Sequence, residues 1–225
     1  YIKRTPLIEY RTQARGGGGA KGSETRDEDF IERVFEATNH NYMLFFTEQG
    51  RCYWLRVFEI PEGSKNSKGR AIQNLLNLGP DNRVQAIIRV TKLKDPEYNE
   101  SHNIVFATKN GVVKKTALKE YSRPRTNGVI AINLLENDQL IDAVLTEGDS
   151  EIILANKNGR AIRFNENQVR NMGRPSTGVK GMTLDGPEDG IVGMICMRTG
   201  ANDNVLVVSE KGMGKRSELD DYRIT

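Results

Sequence analysis

The chain has 225 residues, 37% of them hydrophobic and 28% charged, with a formal net charge of +3. That composition describes a folded, water-facing protein with a modest core, arranged as one large domain or two small ones. It excludes a helical membrane span, since no run approaches the roughly 18 apolar residues one needs, and no signal-peptide pattern opens the chain.

Residues 1–19, YIKRTPLIEYRTQARGGGG, align with VVKKTALKEYSRPRTNG at residues 112–128, so the chain begins inside a repeat. The glycine-rich stretch within residues 9–29 does not fit a nucleotide-binding P-loop. That motif needs Gly immediately before its Lys and Ser or Thr after it. Here Ala20 precedes Lys21, Gly22 follows it, and the polar SETRDED comes next. A flexible linker is the competing reading, because glycine runs are entropically costly to order. The other repeats, however, place GSKNSKG, SRPRTNG and GRPSTG at this point, so the stretch is an elaborated form of a recurring loop. Its glycines let a backbone approach phosphates closely, with charge from Arg15 and Lys21. DFIERVFEAT, residues 29–38, has helical spacing at Phe30, Ile31, Val34 and Phe35. The repeat assigns it instead as the strand that closes the first unit.

Four segments then follow one template of apolar strand, turn ending in Gly, and second strand. They are MLFFTEQGRCYWLRVFEI from Met43, IVFATKNGVVKKTALKEY from Ile104, IILANKNGRAIRFNENQV from Ile152 and VLVVSEKGMGKRSELDDY from Val205. The turn glycines, Gly50, Gly111, Gly159 and Gly212, recur every 48 to 61 residues. A second glycine (Gly69, Gly128, Gly178) follows 17 to 19 residues later, and RVQAIIRV, QLIDAVLT and GIVGMICM close three units. Short strands joined by Gln-Gly, Asn-Gly and Lys-Gly turns predict β-hairpins. About four strands per repeat predicts an all-β, propeller-like fold in which neighbouring blades supply each other's core. The expected layout is a single domain over 1–225. It holds a partial first blade at about 1–40, blades at about 41–98, 102–148 and 150–200, and a partial last blade at 203–225.

Leu44, Phe46, Val105, Ala107, Ile153 and Leu206 are expected in the core, and Tyr53, Trp54 and Tyr121 in blade packing. Cys52 and Cys196 read as buried free thiols, fitting a reducing cytosol. His40 and His102 lack neighbouring ligands at metal-binding spacing, so no metal site is expected.

Charge follows the repeat. The first half of each unit is basic: Lys3, Arg4, Arg11, Arg15 and Lys21; then Lys65, Lys68 and Arg70; then Lys114, Lys115, Arg123 and Arg125. Arg163, Arg170, Arg174 and Lys180 follow, and finally Lys215 and Arg216. Acidic stretches intervene, with Asp27, Glu28, Asp29, Glu32 and Glu36 in one and Glu136, Asp138, Asp142, Glu147 and Asp149 in another. Stacked blades place equivalent residues at equivalent points around a disc. The expectation is therefore a curved positive band suited to a bent polyanion such as duplex DNA. A solvated mixed-charge surface and a propeller-type protein-interaction module are the alternatives.

QARGGGG, Gln13 to Gly19, resembles the seven-residue box usually written QRRGGKG of the DNA gyrase A C-terminal domain. The likeness covers essentially the whole chain, including GVVKKTALKEYSRPRTNGVIAI, RAIRFNENQVRNMGRPSTGVKGM and GKRSELDDY. Gln13, Arg15, Gly16, Gly17 and Gly19 match the box, while Ala14 and Gly18 stand where Arg and Lys are usual; Arg11 and Lys21 lie close by. The resemblance implies a β-pinwheel of four-stranded blades that exchange strands, incomplete at the C-terminal end. It implies a non-catalytic module whose basic rim wraps duplex DNA and supports ATP-dependent negative supercoiling. Its partners are then duplex DNA, the rest of gyrase A and gyrase B, with no cofactor, in the bacterial cytoplasm at the nucleoid. The corresponding domain of topoisomerase IV has the same fold with the box lost or degraded.

Overall fold

The computed structural model describes residues 1–10, 23–25, 29–79 and 81–224. The first hairpin is β1 (Tyr42–Thr47) and β2 (Arg51–Arg56), and β3 (Val84–Val90) pairs with the other side of β1. The pattern repeats with β4 (Asn103–Thr108), β5 (Val112–Ala117) and β7 (Leu140–Thr146), and again with β8 (Ser150–Asn156), β9 (Ala161–Asn165) and β11 (Ile191–Arg198). A fourth hairpin joins β12 (Asn204–Val208) to β13 (Gly214–Glu218). One short helix, α1 (Pro96–Ser101), links β3 to β4; Asp95 caps it and Pro96 occupies its first turn.

Each hairpin turn is built the same way. Thr47, Thr108, Asn156 and Ser209 accept the turn glycine's N–H on their carbonyl oxygens. Their side-chain oxygens accept a second N–H from Arg51, Val112, Arg160 and Met213. The turn glycines lie at φ +76 to +85°, left-handed backbone that a residue with a Cβ resists.

Sheets are completed by the next unit. The two-residue strand β6 (Val129–Ile130) adds to β2, and β10 (Val179–Lys180) adds to β5. The same join continues at both ends as single bridges, Ile2 to Arg70 and Arg163 to Ile224. This is an all-β, strand-exchanging pinwheel.

The core lies between the sheets. Side chains alternate across a strand, so Met43 and Phe45 of β1 face the N-terminal segment with Ile2 while Leu44 and Phe46 face β4. Ile104 and Phe106 return that contact, and Val105 and Ala107 face the third sheet. Phe46 meets Phe106 edge to face at 5.2 Å and Tyr121 at 5.9 Å. Trp54, Tyr53 and Tyr121 are buried in this packing. Both faces of β1, β4 and β8 are covered, so these opening strands are apolar throughout rather than alternating.

Three expectations change. Leu206 is 66% exposed, because β12 turns only Val205 toward the third sheet and nothing among the described residues covers its other face. Residues 29–38 form no strand and leave Phe30, Ile31, Val34 and Phe35 exposed. The closing strands β3, β7 and β11 pair with the opening strands of their own units, and residues 1–10 offer no such partner. Residues 33–36 instead form one wall of a groove whose other walls are β3 and β7, and the Arg89 guanidinium donates to the Glu36 carbonyl. Cys52 is a buried free thiol, whereas Cys196 is also free but only half-buried.

Candidate nucleic-acid interface

The recurring cations divide into two sets. The fourth residue after the first three turn glycines is Trp54, Lys115 or Arg163, and Arg4 holds the same place in the opening segment; after Gly212 it is Arg216, which is exposed. Each of the first four donates to the 3-10 turn that starts the loop of the following unit. Arg4 Nε reaches the Ile60 carbonyl at 3.3 Å and Trp54 Nε1 the Tyr121 carbonyl at 3.0 Å. Lys115 Nζ reaches the Glu166 carbonyl at 2.8 Å, and Arg163 Nη1 reaches the carbonyls of Leu219 at 2.9 Å and Tyr222 at 3.0 Å. In two units the third position repeats the device. Lys3 Nζ donates to the carbonyls of Ser64, Lys65 and Ser67, and Lys114 Nζ to those of Ala131 and Arg174. Buried carbonyls need donors, and these side chains supply them across every join between units.

Their charges are accommodated locally. Arg163 pairs with Glu151 at 2.5 Å, and both side chains are nearly inaccessible. Glu166, fully buried, accepts from Thr146 Oγ1 and the Ser150 N–H and lies 4.0 Å from Lys115. Arg4 pairs with Glu62 at 3.0 Å. Burial lowers the Lys115 pKa, against the pull of Glu166. Burial, reinforced by the Arg174 charge, brings that of Lys114 down to about 7. Lys114, Lys115 and Arg163, expected as DNA contacts, are therefore withdrawn from the surface into the joins. Lys3 and Arg4 are half-buried and committed to the same work.

The second set is accessible. Lys68, Arg70, Arg123, Arg125, Arg170, Lys180, Lys215 and Arg216 are exposed. Lys65 is half-buried, its ammonium 4.9 Å from the Tyr10 ring centroid. Arg11, Gln13, Arg15, Gly16, Gly17, Gly19 and Lys21 lie outside the described residues. Their flanks are fixed to one loop: Glu9 Oε2 accepts the Lys65 N–H at 2.9 Å, and the Glu24 N–H donates to the Lys65 carbonyl at 2.9 Å. Glu9 and Glu24, on either side of the box in sequence, thus both meet the loop that carries Lys65, Lys68 and Arg70.

Elsewhere the loops of two successive units meet at the start of β2. Arg51, Arg125 and Arg174 line a groove of about 400 Å³, floored by Val129, Ile130 and Pro175. Arg51 was not among the expected contacts. Its signal is a basic residue directly after a turn glycine, next to the edge where the following unit's strand adds. The locking role of the fourth position was also legible in principle. Trp54 shares that column with Arg4, Lys115 and Arg163, and what the four have in common is a long N–H donor, not charge. Among the described residues no group of three His, Cys, Asp or Glu side chains is placed to hold a metal.

The family model described as DNA gyrase C-terminal domain, beta-propeller, matches residues 1–36, 41–91, 102–147, 150–196 and 203–225. The chain is 43% identical over 222 residues to the DNA gyrase A protein of Salmonella typhimurium, covering 99% of this chain and 24% of that protein. It is 43% identical over 226 residues to the DNA gyrase A protein of Staphylococcus aureus, covering 100% and 25%. It therefore spans about a quarter of the length of these relatives. The solved C-terminal domain of DNA topoisomerase IV superposes with a TM-score of 0.81 at 29% identity, over 100% of this chain and 66% of that one. The DNA gyrase A C-terminal domain does so with 0.75 at 27%, over 100% and 70%. With five consecutive segments matched along its length, and with the first two sheets each completed by a strand of the next repeat, the chain belongs to the DNA gyrase C-terminal domain family.

Proposed function

We propose that this chain is the DNA-wrapping module of a type II topoisomerase of the gyrase class, with no catalytic group or cofactor of its own. The identity to gyrase A along the whole chain carries the reading. The cations that remain on exposed loops, beside the flanks of the box, support it. Most contacts on such a surface go to phosphate, which sets register and orientation without reading sequence. Affinity then falls steeply with salt, by a slope of about 0.9 per phosphate neutralised. Bending 20 to 30 base pairs by 40 to 90° costs on the order of 1 to 6 kcal/mol, so contacts spread over several units are needed to offset it. Acting with the remainder of gyrase A and with gyrase B in the bacterial cytoplasm, the module presents a wrapped segment for ATP-dependent negative supercoiling.

The corresponding domain of topoisomerase IV is the second reading, favoured by the TM-score of 0.81. The fold does not separate the two; the QARGGGG segment favours gyrase. The test is ligation of nicked circular DNA in the presence of the chain. Wrapping leaves a change in linking number that grows with protein concentration, and an unchanged topoisomer distribution refutes it.

A further inference from the structure

We propose that the groove between Arg51, Arg125 and Arg174 is a discrete phosphodiester site that takes one backbone phosphate of a bound duplex and exists only where three successive units are docked. The inference rests on the reading that the chain binds DNA.

Each guanidinium comes from a different repeat. Arg51 opens β2 of the first full unit, Arg125 lies in the SRPRTNG loop of the second, and Arg174 in the GRPSTG loop of the third. Arg51 is aimed by its neighbours: Nε donates to the Tyr53 hydroxyl at 3.3 Å, and Nη2 to the carbonyls of Asn127 at 2.8 Å and Gly128 at 3.4 Å. Its Nη1 has no hydrogen-bond partner among the described residues. Arg174 Nη1 donates to the Ile130 carbonyl at 3.4 Å, which leaves its other N–H groups available. The Arg125 side chain is exposed and makes no hydrogen bond or ion pair with the described residues.

The loops that carry these side chains are pinned. Gly128 sits at φ +67°, and a Cβ there comes within 2.7 Å of the Tyr53 ring and 2.8 Å of the Cys52 carbonyl, so the second loop lies flat on β2. Asn133 ties the third loop to the second unit, with its Nδ2 on the Pro175 carbonyl at 2.7 Å and its N–H on the Ser176 carbonyl at 3.1 Å.

No acidic side chain lines the groove, and the Lys114 ammonium lies beneath it, bonded to the Arg174 carbonyl. Positive charges gathered at a surface groove without a counter-charge attract an anion. Guanidiniums match phosphate oxygens in fork geometry. Ile130, 43% exposed on the groove floor, offers the apolar contact that a sugar next to that phosphate can use. The site is also not periodic. The residue after the turn glycine is Val112, Arg160 and Met213 in the later units, and Tyr1 holds that place in the opening segment. The join on either side of this one therefore lacks the first arginine.

The test uses the full chain and a duplex long enough to follow the loops, with affinity measured across a salt series. Arg125→Gln removes an exposed side chain with no internal bond, so its thermal unfolding matches the parent. Arg125→Gln with Arg174→Gln deepens the effect, and Lys92→Gln, exposed and outside the groove, is the control. The expected result is a salt slope smaller by about 0.9 for the loss of one phosphate contact and an affinity roughly tenfold lower for the double variant. The control stays at the parental value. A parent that binds DNA normally while both groove variants match it in slope and affinity overturns the inference alone. A parent that binds no duplex overturns the functional reading and this inference with it. A parallel titration with inorganic phosphate, followed through the arginine guanidinium resonances, separates the source. Arginine signals that respond to the duplex and are lost in the double variant support the backbone assignment. A response to inorganic phosphate, with duplex binding identical in parent and variants, overturns it.

Discussion

Arg163→Met separates a lock between units from a contact with DNA. In the native chain the Arg163 guanidinium neutralises Glu151 at 2.5 Å and donates to the carbonyls of Leu219 and Tyr222. The Glu151 side chain is only 4% exposed, so removing Arg163 strands a carboxylate in a site that water does not reach. Removing one member of a buried ion pair costs roughly 3 to 5 kcal/mol. For a chain of this length each kcal/mol lowers Tm by about 2 to 4 °C, so a drop of the order of 10 °C is expected in circular dichroism melts. Adding Glu151→Met to Arg163→Met removes the stranded charge and recovers most of the loss, since an apolar pair of similar volume is often neutral or better. DNA affinity measured well below either Tm keeps its parental salt slope, because no phosphate reaches Arg163. An unchanged Tm together with a slope reduced by about 0.9 refutes this account and restores Arg163 as a DNA contact.

Lys114 gives a pH signature. Burial, and then the Arg174 charge, hold its folded pKa at about 7, below the ordinary 10.5. Between those values the unfolded chain binds the extra proton, so stability rises with pH across that window. Urea melts from pH 7 to 10 are expected to show the rise in the parent and a flatter profile in Lys114→Met. Gly128→Ala forces a Cβ against Tyr53 at left-handed φ and costs about 1 to 3 kcal/mol in the same melts. It also weakens salt-sensitive DNA binding by displacing Arg125. In the box, Arg15→Ala with Lys21→Ala is expected to abolish the linking-number change while leaving most of the affinity; supercoiling by a reconstituted enzyme that equals the parental level contradicts this.

Much of the fold was legible because its signals are local. The left-handed turn glycines, the Thr, Asn or Ser three residues before each, and strands apolar enough to be covered on both faces all lie within short stretches of chain. The helix Pro96–Ser101 was equally local, announced by Asp95 before Pro96, yet a template of strands and turns passes over it. Two readings failed because they depend on what lies opposite. DFIERVFEAT has the sequence of a closing strand and, among the described residues, no opening strand of its own unit to pair with. Leu206 has the sequence of a core residue and nothing among the described residues covering it.

Part of the basic phase, Lys114, Lys115 and Arg163, turned inward for a more instructive reason. A repeat that completes its neighbour's sheet must offer the same donors to the same carbonyls at every join, so the side chains that do this recur in phase. Because the carbonyls are buried, the donors must be long, and Arg, Lys and Trp are the long N–H donors available. Periodic positive charge is therefore what such architecture produces even without a polyanion. Trp54 exposes this, because an uncharged residue holds the lock as well as its cationic counterparts do. What architecture does not require is a cation that breaks phase and bonds no carbonyl of the next unit. Arg125 is of that kind; Arg51 has no cationic counterpart at Val112 or Met213, although Arg160 follows Gly159 and Arg51 itself also donates to the Asn127 and Gly128 carbonyls of the next unit. In a strand-exchanging repeat it is departures from periodicity such as Arg125 that point outward, toward the ligand.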